Sequence, residues 1–388
     1  MARPRPTTIL IAAAVLAVLA AVFLLKVAAG MADFEVNYKA GNRLWTGETL
    51  YRTADSHWQF KYSPFSALLY LPLSALPLPA AKAIWFALAI LSIGAIVLLA
   101  RAAAAGGRGA ASWTVILLSF LVLAKDFLRE VQLGQINAVI TALLMGMTVL
   151  IVRDDEAVRP SAGRQVPAGL LWGLAAALKP YAMIFLPYFV LKGKWRTLAA
   201  GAAVIAGSLA VPSLFYGFSG NWTVIKEWIT SLSRSTPGLL AAQDNVSLLA
   251  FLMKWTNGSA AASMIYGLGV ALLAGLTLLF LGRGRGLPRA AAAESALLLL
   301  FIPLISPLGW DYTFLSAFPA VVLVVGGRGS FPKPVRLFLA VNFLVVALAL
   351  YDLVGRRFYA EFMAWSVPTV NFLIIAGALF YLRWKKAA

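Results

Sequence analysis

No cysteine occurs in the 388 residues, so disulfides, thiolate metal ligands and thiol nucleophiles are excluded. Histidine occurs once, as His57, which leaves almost nothing for a serine–histidine mechanism or a histidine-rich metal centre. Charge is also scarce: 12% of residues are Asp, Glu, Lys or Arg, against about a quarter in ordinary soluble domains. What dominates is apolar. Hydrophobic residues make up 61% and the mean hydropathy is +0.84. Apolar runs of bilayer-crossing length recur throughout, and no long polar block separates them. The chain reads as a single all-α integral-membrane domain over 1–388.

Twelve spans are predicted, near 8–30, 80–100, 111–125, 136–152, 166–179, 181–192, 197–217, 261–281, 292–307, 312–327, 337–353 and 364–382. The apolar stretch 63–79 is interrupted by Pro64, Pro72, Pro77 and Pro79 and is read as a juxtamembrane helix. The basic excess then tests the threading. With both termini in the cytoplasm, the inner segments hold 19 of the 33 basic residues, including Arg3, Arg5, Arg108, Arg159, Arg285 and Lys386. Only four of the 15 acids accompany them: Asp154, Asp155, Glu156 and Glu294. The net charge of +18 is therefore a topology signal and no nucleic-acid footprint. An alternative for the first span is a signal peptide, since Arg3 and Arg5 precede it and a small-residue run follows.

Two outer loops are large, 31–79 and 218–260, and the unusual polar residues collect on that side. Asp33 stands where the first span leaves the membrane. Asn37 and Ala40–Gly41 follow on the same face if the helix continues. A carboxylate there suits proton abstraction from a hydroxyl, and a solvated interfacial aspartate is the plain alternative. Gln135 and Asn137 bring amides to membrane depth, either to hold hydroxyls or to tie helices together. Lys179 ends a small-residue helix before Pro180, where an ionisable group is a candidate anion site or a snorkelling lysine. Its tryptophans suggest that the second loop lies in the interfacial belt. Asn245 and Ser247 come from that loop, and Trp310, Asp311 and Tyr312 from a Ser306-Pro307 turn.

At these residues the chain resembles glycosyltransferase family 87, the polyprenol-phosphate-mannose-dependent mannosyltransferases of the GT-C superfamily. The resemblance covers nearly the whole length. It rests on Asp33 with Tyr38-x-Ala40, Gly47-x-x-Leu50-Tyr51, Tyr62-x-Pro64 and Pro72-Leu73. It continues through Gly134-Gln135-x-Asn137, Gly169, Gly173, Lys179-Pro180, Lys194-Trp195-Arg196, Asn245-x-Ser247, and Ser306-Pro307 with Trp310. A histidine often found after the Ser-Pro-x-x-Trp motif is replaced by Asp311-Tyr312.

The resemblance implies a GT-C-type bundle with juxtamembrane helices in the first outer loop, and Asp33 as catalytic base. The implied donor is a polyprenyl-phosphate sugar, the acceptor a lipid or glycan, and the setting the inner membrane with the site facing the periplasm or exterior. Lys179, then Lys61, Arg129 and Arg52, are the candidates to neutralise the leaving phosphate. Asn37, Tyr62, Gln135, Asn137, Asn245, Ser247, Trp310, Asp311 and Tyr312 are the candidate sugar or acceptor contacts. Single displacement requires one base and no metal. A divalent cation stays open because Asp33-Phe34-Glu35 resembles acidic pairs of some GT-C relatives, although no second cluster completes a site. The rival readings are a lipid or sugar flippase, and the same fold using a pentose such as arabinofuranose.

Overall fold

The computed structural model describes residues 14, 17–104, 111–157, 161–283, 287 and 289–385. The start of the first expected span lies outside the described residues, as do Arg3, Arg5, Arg108, Arg159, Arg285 and Lys386. Among the described residues all regular structure is helical, apart from one isolated antiparallel bridge between Asn245 and Trp310.

The first helix, α1 (Ala17–Val27), stops at Ala28–Gly30 and the chain turns 88° into α2 (Ala32–Thr46). The helix therefore does not continue straight into the loop. Asp33 sits in the first turn of a new helix lying across the end of the bundle. Tyr62-Ser63-Pro64 leads to α3 (Ser66–Ser74), whose nine residues reach only about 14 Å. That is too short to cross a bilayer, as a juxtamembrane reading of 63–79 requires. Gly41 lets α2 press on α3, since a Cβ there would lie 2.8 Å from the Tyr70 carbonyl. Next comes α4 (Leu78–Ala103), whose Lys82 is 6% exposed. Its ammonium donates to the carbonyls of Ala28 (3.0 Å) and Gly30 (2.8 Å) and pairs with Glu35 at 2.7 Å. The break between α1 and α2 is thus closed by a buried lysine.

The expected span 111–125 divides into α5 (Trp113–Val122) and the start of α6 (Ala124–Leu133). Gly134 ends α6 in the left-handed region, φ 69°, and α7 (Asn137–Asp155) follows. Then α8 (Ala162–Leu178) stops at Lys179, because a residue before proline is driven to extended backbone. A 3-10 turn, Pro180–Phe185, leads into α9 (Leu186–Leu191). The span expected over 197–217 ends earlier, at Ala210 of α10 (Trp195–Ala210). Pro212 has no amide hydrogen to continue the ladder, and the chain bends 87° into α11 (Ser213–Ser235).

Further on lie α12 (Leu248–Trp255), α13 (Ala260–Arg283) and α14 (Ala290–Ile305). A 3-10 segment, Asp311–Ala317, runs into α15 (Phe318–Gly326). The chain closes with α16 (Lys333–Leu348), α17 (Tyr351–Val354), α18 (Arg356–Ala364) and α19 (Val367–Trp384). Each of the twelve expected spans overlaps helical structure within the described residues, but those over 111–125, 181–192, 197–217, 312–327 and 337–353 are each divided between two helical segments. Among the described residues four helices are long and apolar enough to cross a bilayer singly, and up to six if each bent pair is one span. The core centres on α14, where every residue from Ala291 to Leu304 is buried, as expected of a helix apolar on all sides.

The small residues of α8 have a packing role. A Cβ on Gly169 would lie 2.2 Å from the Thr197 carbonyl of α10, and one on Gly201 2.2 Å from the Trp172 ring of α8. These glycines let the two backbones touch, as small-xxx-small seams do in membranes. At the far end of α7 the four acids of the basic segments are all paired. Lys194 holds Asp154 at 3.1 Å and also Asp155, Lys192 holds Glu294 at 2.7 Å, and Arg289 holds Glu156. Asn137 and Asp154 stand about 26 Å apart along α7, so the basic end and the Gly-Gln-x-Asn end are opposite ends of the bundle.

Overpacking the α8–α10 seam is expected to cost at least about 1–3 kcal/mol. Gly201→Val should lower the melting temperature of the detergent-purified protein by several degrees, whereas Gly207→Val, where a Cβ meets nothing within 4 Å, should not. Equal melting temperatures would remove the seam from the account.

Candidate active site

The site is assembled from helix ends. Gly134 is the joint. Its φ is positive, and a Cβ on it would lie 2.6 Å from Phe34 Cβ and 3.1 Å from Met31. Only glycine lets the end of α6 meet the start of α2 here. The Met31 amide donates to the Gln132 carbonyl across the same contact, at 2.9 Å. Gln135 is thereby delivered to Asp33, and its Nε2 donates to Asp33 Oδ2 at 2.6 Å. The same Nε2 lies 3.0 Å from the Tyr312 hydroxyl, and Tyr62 donates to Gln135 Oε1 at 2.9 Å. One amide thus joins residues from four separate parts of the chain.

Tyr62 is held by the broken end of α8. The Ala177 and Leu178 carbonyls lose their helical partners at Pro180. They accept instead from Ser63 Oγ and Ser66 Oγ, each at 2.6 Å. This clasp sets Tyr62 beside Lys179, whose ammonium lies 5.1 Å from the Tyr62 ring and 5.2 Å from the Tyr181 ring. Lys179 donates to Asn137 Oδ1 at 2.8 Å, and Tyr181 donates to the same oxygen at 3.1 Å. Asn137 in turn donates through Nδ2 to Glu130 Oε2 at 2.8 Å.

Asp33 is half-buried, and burial pushes its carboxyl above the ordinary aspartate value. The Gln135 hydrogen bond and the charges of Lys179, His57 and Lys61 pull in the opposite direction without cancelling it. Lys61 is half-buried, and burial lowers its ammonium despite the Asp33 charge. A partly desolvated carboxylate facing a cationic rim is a fit base for a hydroxyl.

The other candidates fall into two groups. Arg129 is engaged by Asp244 at 2.8 Å and approaches Asp311 at 3.4 Å, while Tyr359 donates to Asp311 at 3.3 Å. This second polar cluster adjoins the first through Tyr312. Asn245 and Ser247 are fully buried and are used on the backbone. Asn245 Nδ2 donates to the carbonyls of Leu239, Leu240 and Pro307, and its Oδ1 accepts from the amides of Ser247 and Gly309. Ser247 caps α12 by accepting from the Ala250 amide at 3.0 Å. Their role is to pin the second loop to the Ser-Pro turn, which places Trp310 half-buried at its edge. Arg52 pairs with Glu48 on the exposed rim. Asn37 is buried on the α2 face shared with Ala40 and Gly41. Glu35 is held by Lys82, and among the described residues no three His, Cys, Asp or Glu side chains gather as metal ligands.

Glu130, Tyr181, Asp244 and the solitary His57 were not selected from the sequence. Glu130 did carry a signal: Asp126 and Glu130 share one face of α6 with Phe127 and Val131, so two acids ride on its buried side.

The family model of glycosyltransferase family 87 matches residues 60–307, a segment containing Tyr62, Gln135, Asn137 and Lys179 but not Asp33. A polyprenol-phosphate-mannose-dependent alpha-(1-2)-phosphatidylinositol mannoside mannosyltransferase of Mycolicibacterium smegmatis is 27% identical over 319 residues, covering 75% of this chain and 69% of that protein. A pentamannoside mannosyltransferase from the same organism is 23% identical, covering 97% and 88%. The crystal structure of ArnT from Cupriavidus metallidurans bound to undecaprenyl phosphate aligns over 95% of this chain and 76% of that one, with 15% identity and a TM-score of 0.41. With the family model matched over well more than half of its length, the chain belongs to glycosyltransferase family 87.

Proposed function

We propose that this membrane glycosyltransferase transfers a hexose, mannose before any other, from a polyprenyl-phosphate carrier to a lipid or glycan acceptor. The proposed setting is the bacterial inner membrane, with both termini cytoplasmic and the site facing the periplasm or exterior. The observation that carries this reading is the linkage of Asp33 to Lys179. They are joined through Gln135 and Tyr62, with a base at one end and a cation at the other. The polyprenol-phosphate-mannose dependence named for the mycobacterial relative supports the donor. The basic excess of the opposite end, whose four acids are all paired, supports the orientation.

The acceptor hydroxyl attacks the anomeric carbon and the bond from that carbon to the phosphate oxygen breaks, which inverts the configuration. Asp33 takes the hydroxyl proton as the new glycosidic bond forms. The electron pair leaves with the lipid monophosphate, whose growing charge Lys179 neutralises, with Lys61 behind it. Both cations lie on the rim that already acts on Asp33. Gln135 donates to Asp33 and so keeps one carboxylate oxygen occupied and the other available. Tyr62 and Tyr181, whose rings flank the ammonium, give the donor sugar a partly apolar wall.

Asp33→Asn is expected to lower transfer by a factor of about 10²–10⁴ in purified protein supplied with radiolabelled polyprenyl-phosphate-mannose and an acceptor panel. Its melting temperature should stay near that of the wild type. A folded, fully active Asp33→Asn protein would remove Asp33 from the mechanism.

The base works only when ionised, and burial places its pKa above the ordinary 3.8. Transfer should therefore fall as pH drops through that raised value, with an acid limb at higher pH than an exposed aspartate gives. Lys179→Met removes a charge that holds the pKa down, so in residual activity the limb should move to still higher pH. A limb that stays in place would show that Lys179 does not act on Asp33.

A further inference from the structure

The acid nearest to Lys179 along its hydrogen bonds is not the proposed base. Glu130 is fully buried at the end of α6, and nothing so far gives it work. Its two oxygens are both satisfied by neutral donors: Oε1 accepts from the Ala138 amide and Oε2 from Asn137 Nδ2, each at 2.8 Å. The first bond caps the N-terminus of α7, where a carboxylate is electrostatically favoured. The second decides which way the Asn137 amide faces. An asparagine side chain has one donor end and one acceptor end, and an acceptor-only partner takes the donor end. With Nδ2 committed to Glu130, Oδ1 must face Lys179 and Tyr181, and it accepts from both.

We infer that Glu130 is a positioning residue for donor phosphate binding, acting through the orientation of Asn137 on the Lys179 ammonium. This rests on the reading of Lys179 as the phosphate-binding cation. Among the described residues Asn137 is the single hydrogen-bond acceptor of Lys179. Two ammonium protons therefore remain to be offered between the rings of Tyr62 and Tyr181. A carboxylate in direct contact with the lysine would compete with the phosphate for those protons. Set one amide away, Glu130 keeps the cation oriented and charged while leaving its outward side open. A buried acid and a buried amide in adjoining helices are thereby explained by one requirement at a third residue.

The relay has an exchangeable polarity, which makes it testable. In Glu130→Gln the new amide can still accept from Ala138, but its amino group faces the Asn137 amino group, so Asn137 must turn its donor end toward Lys179. In Asn137→Asp two carboxylates confront each other. In the double variant Glu130→Gln/Asn137→Asp every bond is restored, but the group facing Lys179 is now charged: the glutamine accepts from Ala138 and donates to the aspartate, whose other oxygen accepts from Lys179.

The experiment is equilibrium binding of undecaprenyl monophosphate to the full-length protein in nanodiscs, with undecaprenol as the uncharged control and melting temperatures measured alongside. Lys179→Met and Glu130→Gln are each expected to weaken monophosphate binding about tenfold or more while leaving undecaprenol unaffected. The double variant should recover the melting temperature lost by the single ones, a coupling read from the double-mutant cycle, while its monophosphate binding stays weak because a carboxylate now holds Lys179 directly. If Lys179→Met loses affinity and Glu130→Gln does not, the relay is wrong and the lysine reading stands. If Lys179→Met binds like the wild type, the lysine reading itself fails. A double variant that melts no higher than the single ones, or that binds monophosphate like the wild type, overturns the relay. Should a single variant not survive purification, the double variant decides alone: wild-type stability with weakened monophosphate binding supports the relay, and wild-type binding overturns it.

Discussion

A helix that ends inside an apolar environment leaves carbonyls and amides without partners, and this protein is organised around closing such ends. In a bilayer each open group costs several kcal/mol, so every break needs a dedicated donor or acceptor close by. Lys82 closes the end of α1, Ser63 and Ser66 close the end of α8, and Glu130 closes the start of α7. Asn245 and Lys254 do the same for the second loop, the lysine donating to the carbonyls of Gln243, Asn245 and Met363. The residues that satisfy broken helices also hold the candidate site together.

This shared duty explains why polar side chains collect at one end of the bundle without destabilising it. An unpaired buried charge would be costly, and here Lys179, Glu130 and Asp33 each have a hydrogen-bonding partner. Lys179 leans on Asn137 and two aromatic faces, Glu130 on two donors, and Asp33 on Gln135. The neutral amides Gln135 and Asn137 stand between the charges and keep them from collapsing into tight ion pairs. Arg129 contrasts with them, since Asp244 holds it directly and Asp311 stands nearby. A cation already matched by carboxylates has less to offer a phosphate than one matched by an amide. At the opposite end the acids Asp154, Asp155, Glu156 and Glu294 are all held directly by lysine or arginine, with no amide between the charges.

Much of this was legible in the chain before folding. Proline and glycine mark the breaks at Pro180 and Gly134, because the first lacks an amide hydrogen and the second tolerates its positive φ. The span expected over 197–217, by contrast, runs through Pro212, where the chain bends. Asp33, Gln135, Asn137 and Lys179 stood out because polar groups at membrane depth must have a reason to be there. The division of labour among such groups was not legible. Asn245 and Ser247 have the residue types of a sugar site, yet their bonds go to backbone. Glu130 looks like an ordinary loop acid until α6 turns it inward. Hydrogen-bonding capacity is a property of the residue, whereas its use depends on which orphaned backbone group lies nearest.

Composition and spacing by themselves determined that this chain is helical, membrane-bound and strongly asymmetric in charge, because burial of apolar length and the basic bias are additive along the sequence. Tertiary structure alone decided the 88° and 87° bends, the contact of Gly134 with Phe34, and the meeting of Asp33, Tyr62, Tyr312 and Gln135. The residues of that meeting lie up to 279 positions apart, Asp33 to Tyr312. No local propensity encodes such a contact. It exists because the helices, once broken, have only a few ways to satisfy their ends, and the packing of glycine against backbone selects one of them.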